Sequence, residues 1–236
     1  MRTKSWARPE LAACPYFTNE PEKFRGQWAS AFPVRRPLWL ELGCGKGVAT
    51  AKMVRDCPDI NFIVVDISPD VLGDCRRNIE KAFDGAVPDN VLIARFDIST
   101  ISRFFAPEDE VEAIVISFCN PWSMRPKHAK RRLTHPRQLE QYRAFLKDGG
   151  TVRFKTDDDG LFDDSLVYFR LSGFTADLIT RDLHRDGYTP NWVSEHEQKY
   201  TELGVPIKFG IFRKVPGEMS FDPTRWRLTP GMRGDQ

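Results

Sequence analysis

This sequence of 236 residues lacks several features that would mark other classes of protein. It has only five cysteines, an odd number with no Cys-x-x-Cys pair, which argues against a disulfide framework and against a structural zinc site. No apolar run approaches the ~20 residues that span a bilayer, and the first residues lack the apolar core of a signal peptide. We therefore expect a reduced, cytoplasmic protein with no membrane segment and no metal.

An excess of charge of one sign is also missing, because the net charge is only +2 at pH 7. Hydrophobic residues make up 41% of the sequence, an ordinary share for one large domain with a full α/β core. Basic charge is concentrated in one stretch without acidic residues, which contains Arg125, Lys127, Lys130, Arg131, Arg132 and Arg137. Such a cluster in a near-neutral protein indicates a local anionic partner.

The composition divides the chain into three parts. Residues 1–36 are rich in aromatic residues, proline and arginine, with a weakly helical stretch around 20–31, and we interpret them as an N-terminal arm packed on the core. Residues 37–214 form the main domain. Residues 215–236, where proline and glycine are scattered among charges, are predicted to be a mobile or surface-bound tail.

Short β-rich runs alternate with helical ones through the main domain. The predicted strands are 38–42, 60–65, 91–96, 112–118, 150–155, 174–179 and 206–213. The predicted helices are 47–56, 68–83, 98–105 and 134–147. This alternation implies βαβ units in a Rossmann-like α/β fold: a mostly parallel, seven-stranded sheet with helices on both faces and a hairpin as its last pair of strands.

Residues 38–47, Leu-Trp-Leu-Glu-Leu-Gly-Cys-Gly-Lys-Gly, carry the most specific local signal. An apolar strand runs through Glu41 into a turn made by Gly43, Gly45 and Gly47, and a helical stretch follows. Dinucleotide-binding turns have the spacing Gly-x-Gly-x-x-Gly, whereas Glu-x-Gly-x-Gly-x-Gly is typical of S-adenosylmethionine sites. In that interpretation the Glu41 carboxylate would pair with the cofactor's cationic sulfonium and ammonium groups. The alternative is an ordinary turn between a strand and a helix.

Two further acidic residues stand at predicted strand ends. Asp66 closes the second strand, where a carboxylate would accept both ribose hydroxyls of the cofactor, and Asp97 closes the third, where it would face the adenine. Each could instead be a helix N-cap or a loop charge. Because ligands of doubly wound sheets bind at the carboxyl ends of the strands, the three acids and the glycine turn together predict S-adenosylmethionine binding.

An Asn-Pro-Trp turn at 120–122 follows the predicted fourth strand. Many methyltransferases hold the target base with a related Asn/Asp-Pro-Pro-aromatic element here, so the turn indicates a substrate site. Trp122 is a candidate for stacking on an exposed base, although a place in the core is equally open. The basic residues behind it, Lys127, Arg131 and Arg132, are predicted to contact phosphates, which position RNA without reading its sequence. The alternative for this run is a solvated start of a helix.

Four segments together resemble the bacterial tRNA (guanine-N7)-methyltransferases. Phe-Cys-Asn-Pro-Trp at 118–122, with Lys-His-Ala-Lys-Arg-Arg-Leu-Thr-His-Pro-Arg at 127–137, is similar to that family's Phe-x-Asp-Pro-Trp…Lys-Arg-His-x-Lys-Arg-Arg signature. Phe-Lys-Thr-Asp at 154–157 resembles its Lys-Thr-Asp element, and Val-Ser-Glu-His-Glu-Gln-Lys-Tyr at 193–200 resembles its Thr-x-Tyr/Phe-Glu-x-Lys-Phe element. The resemblance runs from about residue 3 to residue 213.

The resemblance implies a class I methyltransferase that methylates N7 of a guanine in the variable loop of tRNA. It assigns the cofactor to Glu41, Asp66 and Asp97, and the guanine or its nucleotide to Asp157, Ser194 and Glu197. The implied partner is tRNA, and the chain is expected to be a monomer or a homodimer.

Two positions depart from the family's pattern. Asn120 replaces an aspartate that is usually assigned to both cofactor binding and catalysis, and Met124 replaces a substrate-contacting lysine. Guanine N7 carries a lone pair and no proton, so it can attack a methyl group without a general base. An asparagine amide stabilises the positive charge of the methylated guanine more weakly than a carboxylate does. We therefore expect a slower or retuned enzyme rather than an inactive one.

Two other interpretations stay open on the sequence. One is a relative that binds tRNA and S-adenosylmethionine with weak or no turnover, which Asn120 and Met124 would support. The other is a class I methyltransferase that acts on another RNA or on a small molecule. The basic run after the fourth strand and the two late motifs argue against a small-molecule enzyme, which has no need of them.

Overall fold

The computed structural model of the protein describes residues 3–123 and 126–217. Met124, one of the predicted substrate contacts, and residues 218–236 of the predicted tail lie outside the described residues. The helices and strands are α1 (Ala7–Ala12), β1 (Phe17–Thr18), β2 (Leu38–Leu42), α2 (Val48–Asp56), β3 (Asn61–Asp66), α3 (Pro69–Ala82), β4 (Val91–Arg95), β5 (Val111–Ser117), α4 (Pro136–Phe145), β6 (Leu146–Thr156), α5 (Asp159–Leu171), β7 (Phe174–Thr180), α6 (Glu195–Glu202) and β8 (Lys208–Lys214).

Eight strands among the described residues form one sheet in the order β1-β4-β3-β2-β5-β6-β8-β7. The pairs from β1 to β6 are parallel, and β8 runs antiparallel between β6 and β7. The predicted α/β class is confirmed, with one strand more than the expected seven. The last two strands pair as expected, but residues 181–207, which include α6, join them in place of a hairpin turn.

Helices cover both faces of this sheet because successive side chains of its strands point to opposite sides. Ile63 and Val65 of β3 pack into one buried cluster, together with apolar residues of α4 and α5. Phe62 and Val64 pack into another, together with residues of α1, α2 and α3. Because β2 to β6 run parallel, their carboxyl ends lie along a single edge of the sheet. Doubly wound sheets bind ligands at that edge.

The segment predicted as an N-terminal arm contributes directly to the core. Its β1 pairs with β4, and Trp28 is fully buried against Phe105, with the two ring centroids 5.1 Å apart. The indole N–H of Trp28 donates to the carbonyl oxygen of Phe104 at 2.8 Å. The weak helical signal at 20–31 corresponds to two short 3-10 helices, Pro21–Phe24 and Trp28–Ala31.

One predicted helical stretch is a 3-10 helix. For the prediction at 98–105, the structure has a 3-10 helix at Ile98–Arg103 with non-helical dihedral angles at Thr100. Serine and β-branched residues make up most of this segment, and both have weak helix propensity. None of the helices in the described ranges is long and apolar enough to cross a membrane.

Candidate active site

The glycine turn after β2 has the geometry that its spacing predicts. Gly43, Gly45 and Gly47 have φ angles of 79°, 56° and 74°, and the amide of Gly43 donates to the carbonyl oxygen of Val65 at 2.9 Å. A Cβ built on Gly43 or Gly45 would meet no atom within 4 Å, whereas one on Gly47 would lie 2.4 Å from Cys75 Sγ. The first two glycines thus leave the backbone open to a ligand, and the third permits α2 to pack on α3.

A cleft of about 650 Å³ opens beside this turn at the carboxyl ends of the strands. It is lined by residues that follow four strands of the sheet, including Gly43, Asp66, Asp97, Phe118, Asn120 and Trp122. Four of these, Gly43, Asp66, Asp97 and Asn120, are predicted cofactor residues. Lys130, Arg131 and Arg137 of the basic segment line the same cleft.

The two aspartates of the cleft each bind the loop that follows their strand. Asp66 Oδ1 accepts from the amide of Ser68 at 2.9 Å, and burial raises the pKa of its carboxyl. Asp97 Oδ1 accepts from the amide of Ser99 at 2.8 Å and caps the 3-10 helix. Each carboxylate thus binds its own loop with one oxygen and also lines the cleft, and its contact with a cofactor stays a prediction.

Glu41 lies behind the turn, in a separate cavity of about 40 Å³. Its side chain is buried, and Thr50 Oγ1 donates to its Oε2 at 2.6 Å. Burial raises the pKa of Glu41 to about 7, while the hydrogen bond from Thr50 and the charge of Lys155 lower it. Ser117 lines both this cavity and the cleft. Glu41 does not line the cleft itself, and its contact with the cofactor's cations stays a prediction.

The Asn-Pro-Trp turn is held in an unusual backbone conformation. Phe118 and Trp122 have φ angles of 53° and 48°, a left-handed region that costs residues other than glycine about 1–3 kcal/mol. The amide of Trp122 donates to Asn120 Oδ1 at 2.9 Å, and the amide of Phe118 donates to the carbonyl oxygen of Lys155 at 2.8 Å. These bonds point the exposed Asn120 into the cleft.

Arg132 supports this turn from within the protein. Its side chain is only 8% exposed. Nε donates to the carbonyl oxygen of Pro121 at 2.7 Å, and Nη1 contacts Asp164 at 2.5 Å and the Tyr168 hydroxyl at 3.4 Å. The expectation that Arg132 contacts phosphates is therefore corrected, because its guanidinium is buried and engaged.

The neighbouring basic residues are placed differently. Lys127 and Arg131 are exposed, and the guanidinium carbon of Arg131 lies 5.0 Å from the centre of the Trp122 ring. Arg131, which lines the cleft, and Lys127 both remain accessible to an anionic partner.

We predict that Arg132→Ala will lower stability, whereas Arg131→Ala will weaken binding. Removing the buried guanidinium of Arg132 should destabilise the protein by about 2 kcal/mol, because Asp164 and the carbonyl of Pro121 lose their donor. Removing the exposed Arg131 should leave the melting temperature nearly unchanged and weaken binding of nucleic acid in a salt-dependent way. Thermal unfolding and binding titrations at two salt concentrations measure both. Equal melting temperatures for the two variants would contradict the assignment.

A network of buried polar groups joins the end of β6 to α6. Glu197 is 0% exposed, and its Oε2 contacts Lys155 Nζ at 2.7 Å. Its Oε1 accepts from Asn191 Nδ2 at 2.8 Å and lies 3.0 Å from His184 Nε2. The expectation that Glu197 contacts the target nucleotide is corrected, since no part of it reaches the surface. Ser194 caps α6 by accepting from the amide of Glu197 at 3.1 Å.

Asp157, the other predicted substrate residue at this end, remains partly exposed. Its side chain is 20% exposed and its Oδ1 lies 3.0 Å from His196 Nε2. Sequence reasoning assigned no role to Lys155 or to Thr50. No clear signal marks Lys155 in the sequence, because the strand that carries it also contains Lys147, Asp148 and Arg153.

Comparison with known proteins identifies relatives of this chain. The model of a family described as a putative methyltransferase matches residues 35–209. A tRNA (guanine-N(7)-)-methyltransferase of Clostridium perfringens (strain SM101 / Type A) is 48% identical over 218 residues, which cover 91% of this chain and 99% of that protein. One of Clostridium beijerinckii is 49% identical over 216 residues, which cover 91% and 98%.

A likeness to solved structures concerns the fold alone. A variant of the 16S rRNA (adenine(1408)-N(1))-methyltransferase of Catenulisporales acidiphilia, with cosubstrate SAM, matches with a TM-score of 0.54 at 11% identity. The match covers 84% of this chain and 92% of that one.

Proposed function

The chain belongs to the tRNA (guanine-N(7)-)-methyltransferase family, and on that premise we propose that it transfers a methyl group from S-adenosylmethionine to N7 of a guanine in the variable loop of tRNA. The observation that carries the proposal is the cleft, where Gly43, Asp66 and Asp97 meet Asn120 and Trp122. In this cleft, strand ends of the kind that bind a cofactor adjoin a turn of the kind that holds a substrate base.

The residues of the cleft fit the cofactor. Its volume of about 650 Å³ lies within the usual range for small-molecule sites. The open backbone at Gly43 permits close approach, Asp66 offers acceptors for ribose hydroxyls, and Asp97 offers one for an exocyclic amine. Ile67, which is 58% exposed at the cleft, supplies an apolar surface for a purine. When bound, S-adenosylmethionine supplies a methyl group on a positively charged sulfur.

The protein contributes to the reaction by orienting the guanine and by stabilising the charge of the product. Guanine N7 needs no general base, so the cleft has to hold the base with its N7 lone pair toward the methyl group. Methylation leaves the guanine with a positive charge. The amide of Trp122 orients the Asn120 side-chain oxygen. This oxygen is the negative end of a neutral amide dipole, which stabilises the positive charge.

The exposed basic residues of the segment after β5 would bind the RNA backbone. Lys130, Arg131 and Arg137 line the cleft, and Lys127 is exposed beside them. Contacts from such side chains to phosphates position a nucleic acid and make its affinity depend on salt. A tRNA substrate would place the protein's activity in the cytoplasm.

The decisive experiment incubates the purified protein with labelled S-adenosylmethionine and unmodified tRNA and identifies the modified nucleoside by mass spectrometry. N7-methylguanosine is the expected product, and tRNA that already carries this modification is the matched control that should take up no label. Tight binding of tRNA and cofactor without product would instead favour a relative that lacks turnover. Absence of tRNA binding at low salt would contradict both functions.

We predict that Asn120→Asp will raise kcat for tRNA methylation by about tenfold. The aspartate can keep the hydrogen bond from the amide of Trp122 and adds a negative charge where the guanine becomes cationic. The KM for S-adenosylmethionine should change little.

Asn120→Ala is the matched control, since it removes both the dipole and the hydrogen bond to Trp122 and should lower kcat. An Asn120→Asp variant with the wild-type rate would show that charge at this position does not limit the reaction.

A further inference from the structure

Asp157 lies at the carboxyl edge of the sheet with one of its carboxylate oxygens unused. The residue follows β6, the strand next to β5. Its hydrogen-bond partner His196 packs against Phe118, which lines the cleft. Oδ1 is bonded to His196 Nε2 at 3.0 Å, whereas Oδ2 accepts no hydrogen bond from any residue in 3–123 or 126–217. The backbone at this point is also fixed, because the buried Lys208 ammonium donates to the carbonyl oxygen of Asp157 at 3.1 Å.

The imidazole of His196 packs against two aromatic rings. Its centroid lies 4.7 Å from that of Phe118 and 4.4 Å from that of Tyr200, and the Tyr200 ring is stacked on it at 20°. An ionised carboxylate can only accept hydrogen bonds, so Nε2 must be the nitrogen that carries a hydrogen toward Asp157. The two rings therefore fix the direction of this N–H.

The helix that carries His196 is anchored as well. Ser194 caps its first turn, and Glu197, the next residue after His196, is buried in the ion pair with Lys155. An ordinary exposed pair of histidine and aspartate is loosely held and contributes little to stability. This one is held through both partners, which is what a site needs when a carboxylate must keep one orientation.

The chemistry of guanine matches the oxygen left free. Guanine accepts hydrogen bonds at N7 and O6 but donates through its N1–H and 2-amino groups, whereas adenine carries no hydrogen on N1. Proteins that recognise unstacked RNA bases read these edges directly. A carboxylate oxygen beside the cleft is an acceptor for the donors of guanine.

We propose that His196 is a positioning residue: its Nε2–H holds Asp157 so that Oδ2 accepts from the N1–H and 2-amino donors of the target guanine. This inference rests on the proposed function and specifies how that site selects guanine. His196 itself makes no contact with the reacting atoms.

A double-mutant cycle on the full-length protein tests the proposal with tRNA methylation kinetics. His196→Phe keeps a ring packed on Phe118 and Tyr200 but removes the donor, and we expect kcat/KM for tRNA to fall about tenfold. Asp157→Asn should lower it by more. In the Asp157→Asn background, His196→Phe should cost less than about twofold, because the group that it positions is already gone. The KM for S-adenosylmethionine and the melting temperature should stay unchanged in His196→Phe.

His196→Gln is the conservative variant, since its amide retains a donor without the ring, and it should keep more activity than His196→Phe. Two results would overturn the proposal: wild-type kcat/KM in His196→Phe, or an equal loss in both backgrounds. Failure of the proposed function has a different signature, since the wild-type protein itself would then form no N7-methylguanosine.

Discussion

Replacing Lys155 by methionine is expected to lower the free energy of unfolding by about 3 kcal/mol, because it leaves the carboxylate of Glu197 buried without its ammonium partner. Asn191 and His184 still reach the other oxygen of Glu197, so the site keeps part of its stabilisation. The carbonyl oxygen of Trp192, 3.3 Å from Lys155 Nζ, loses a donor as well. Urea unfolding followed by circular dichroism measures the change.

The double variant Lys155→Met/Glu197→Gln separates the loss of charge balance from the loss of packing. Removing both charges should restore more than half of the lost stability, since the cost of breaking a buried ion pair comes mainly from the charge left alone. A loss below about 1 kcal/mol in Lys155→Met, or no recovery in the double variant, would show that the network contributes little.

Replacing Glu41 by glutamine should stabilise the ligand-free protein by up to about 3 kcal/mol above pH 7.5, while it weakens cofactor binding. Burial raises the pKa of Glu41 from 4.5 to about 7. Between these values the folded protein binds more protons than the unfolded chain, so the free energy of unfolding falls as the pH rises through this window. The ionised carboxylate thus lowers the free energy of unfolding, and replacement by glutamine removes this destabilisation.

The gain should therefore be largest at pH 8 and vanish well below pH 4.5, where both states of the wild-type protein carry the proton. Glu112→Gln, a more exposed carboxylate on the neighbouring β5, is the matched control and should change stability by less than about 0.5 kcal/mol at either pH. Unfolding titrations at the two pH values, with cofactor affinity by calorimetry, test the prediction. A gain that does not depend on pH would rule out the ionisation of Glu41 as its source.

The architecture was largely predictable because its strands are buried runs with clear ends. Strand β2 was placed without error, and the bounds of β3 differ by one residue, since apolar residues there stop at a glycine turn or an acid. The helices α1, α5 and α6 were not predicted. The starts of α5 and α6 depend on caps, such as Asp158 accepting from the amide of Leu161, that are hard to distinguish from loop residues in a sequence, and α1 has no side-chain cap.

The candidate site also contains residues that lie where the sequence predicts and residues that do not. Gly43, Asp66, Asp97 and Asn120 line one cleft as expected, because each follows a parallel strand and those strands end at the same edge. Arg132 and Glu197 occupy predicted segments but point into the protein. Within a short motif, adjacent residues point in different directions, so spacing alone does not show which of them reaches a ligand.

The sequence alone determined the fold class, the cofactor-type turn and the family resemblance, because these depend on local order: an apolar run, the spacing of glycines, and acids at strand ends. Only the tertiary structure decided which charges are buried. Lys155 with Glu197, and Arg132 with Asp164, are separated along the chain and meet only when β6, α5 and α6 pack together. The same packing brings His196 to Asp157, and a buried charge acquires its role only from the partner that folding brings to it.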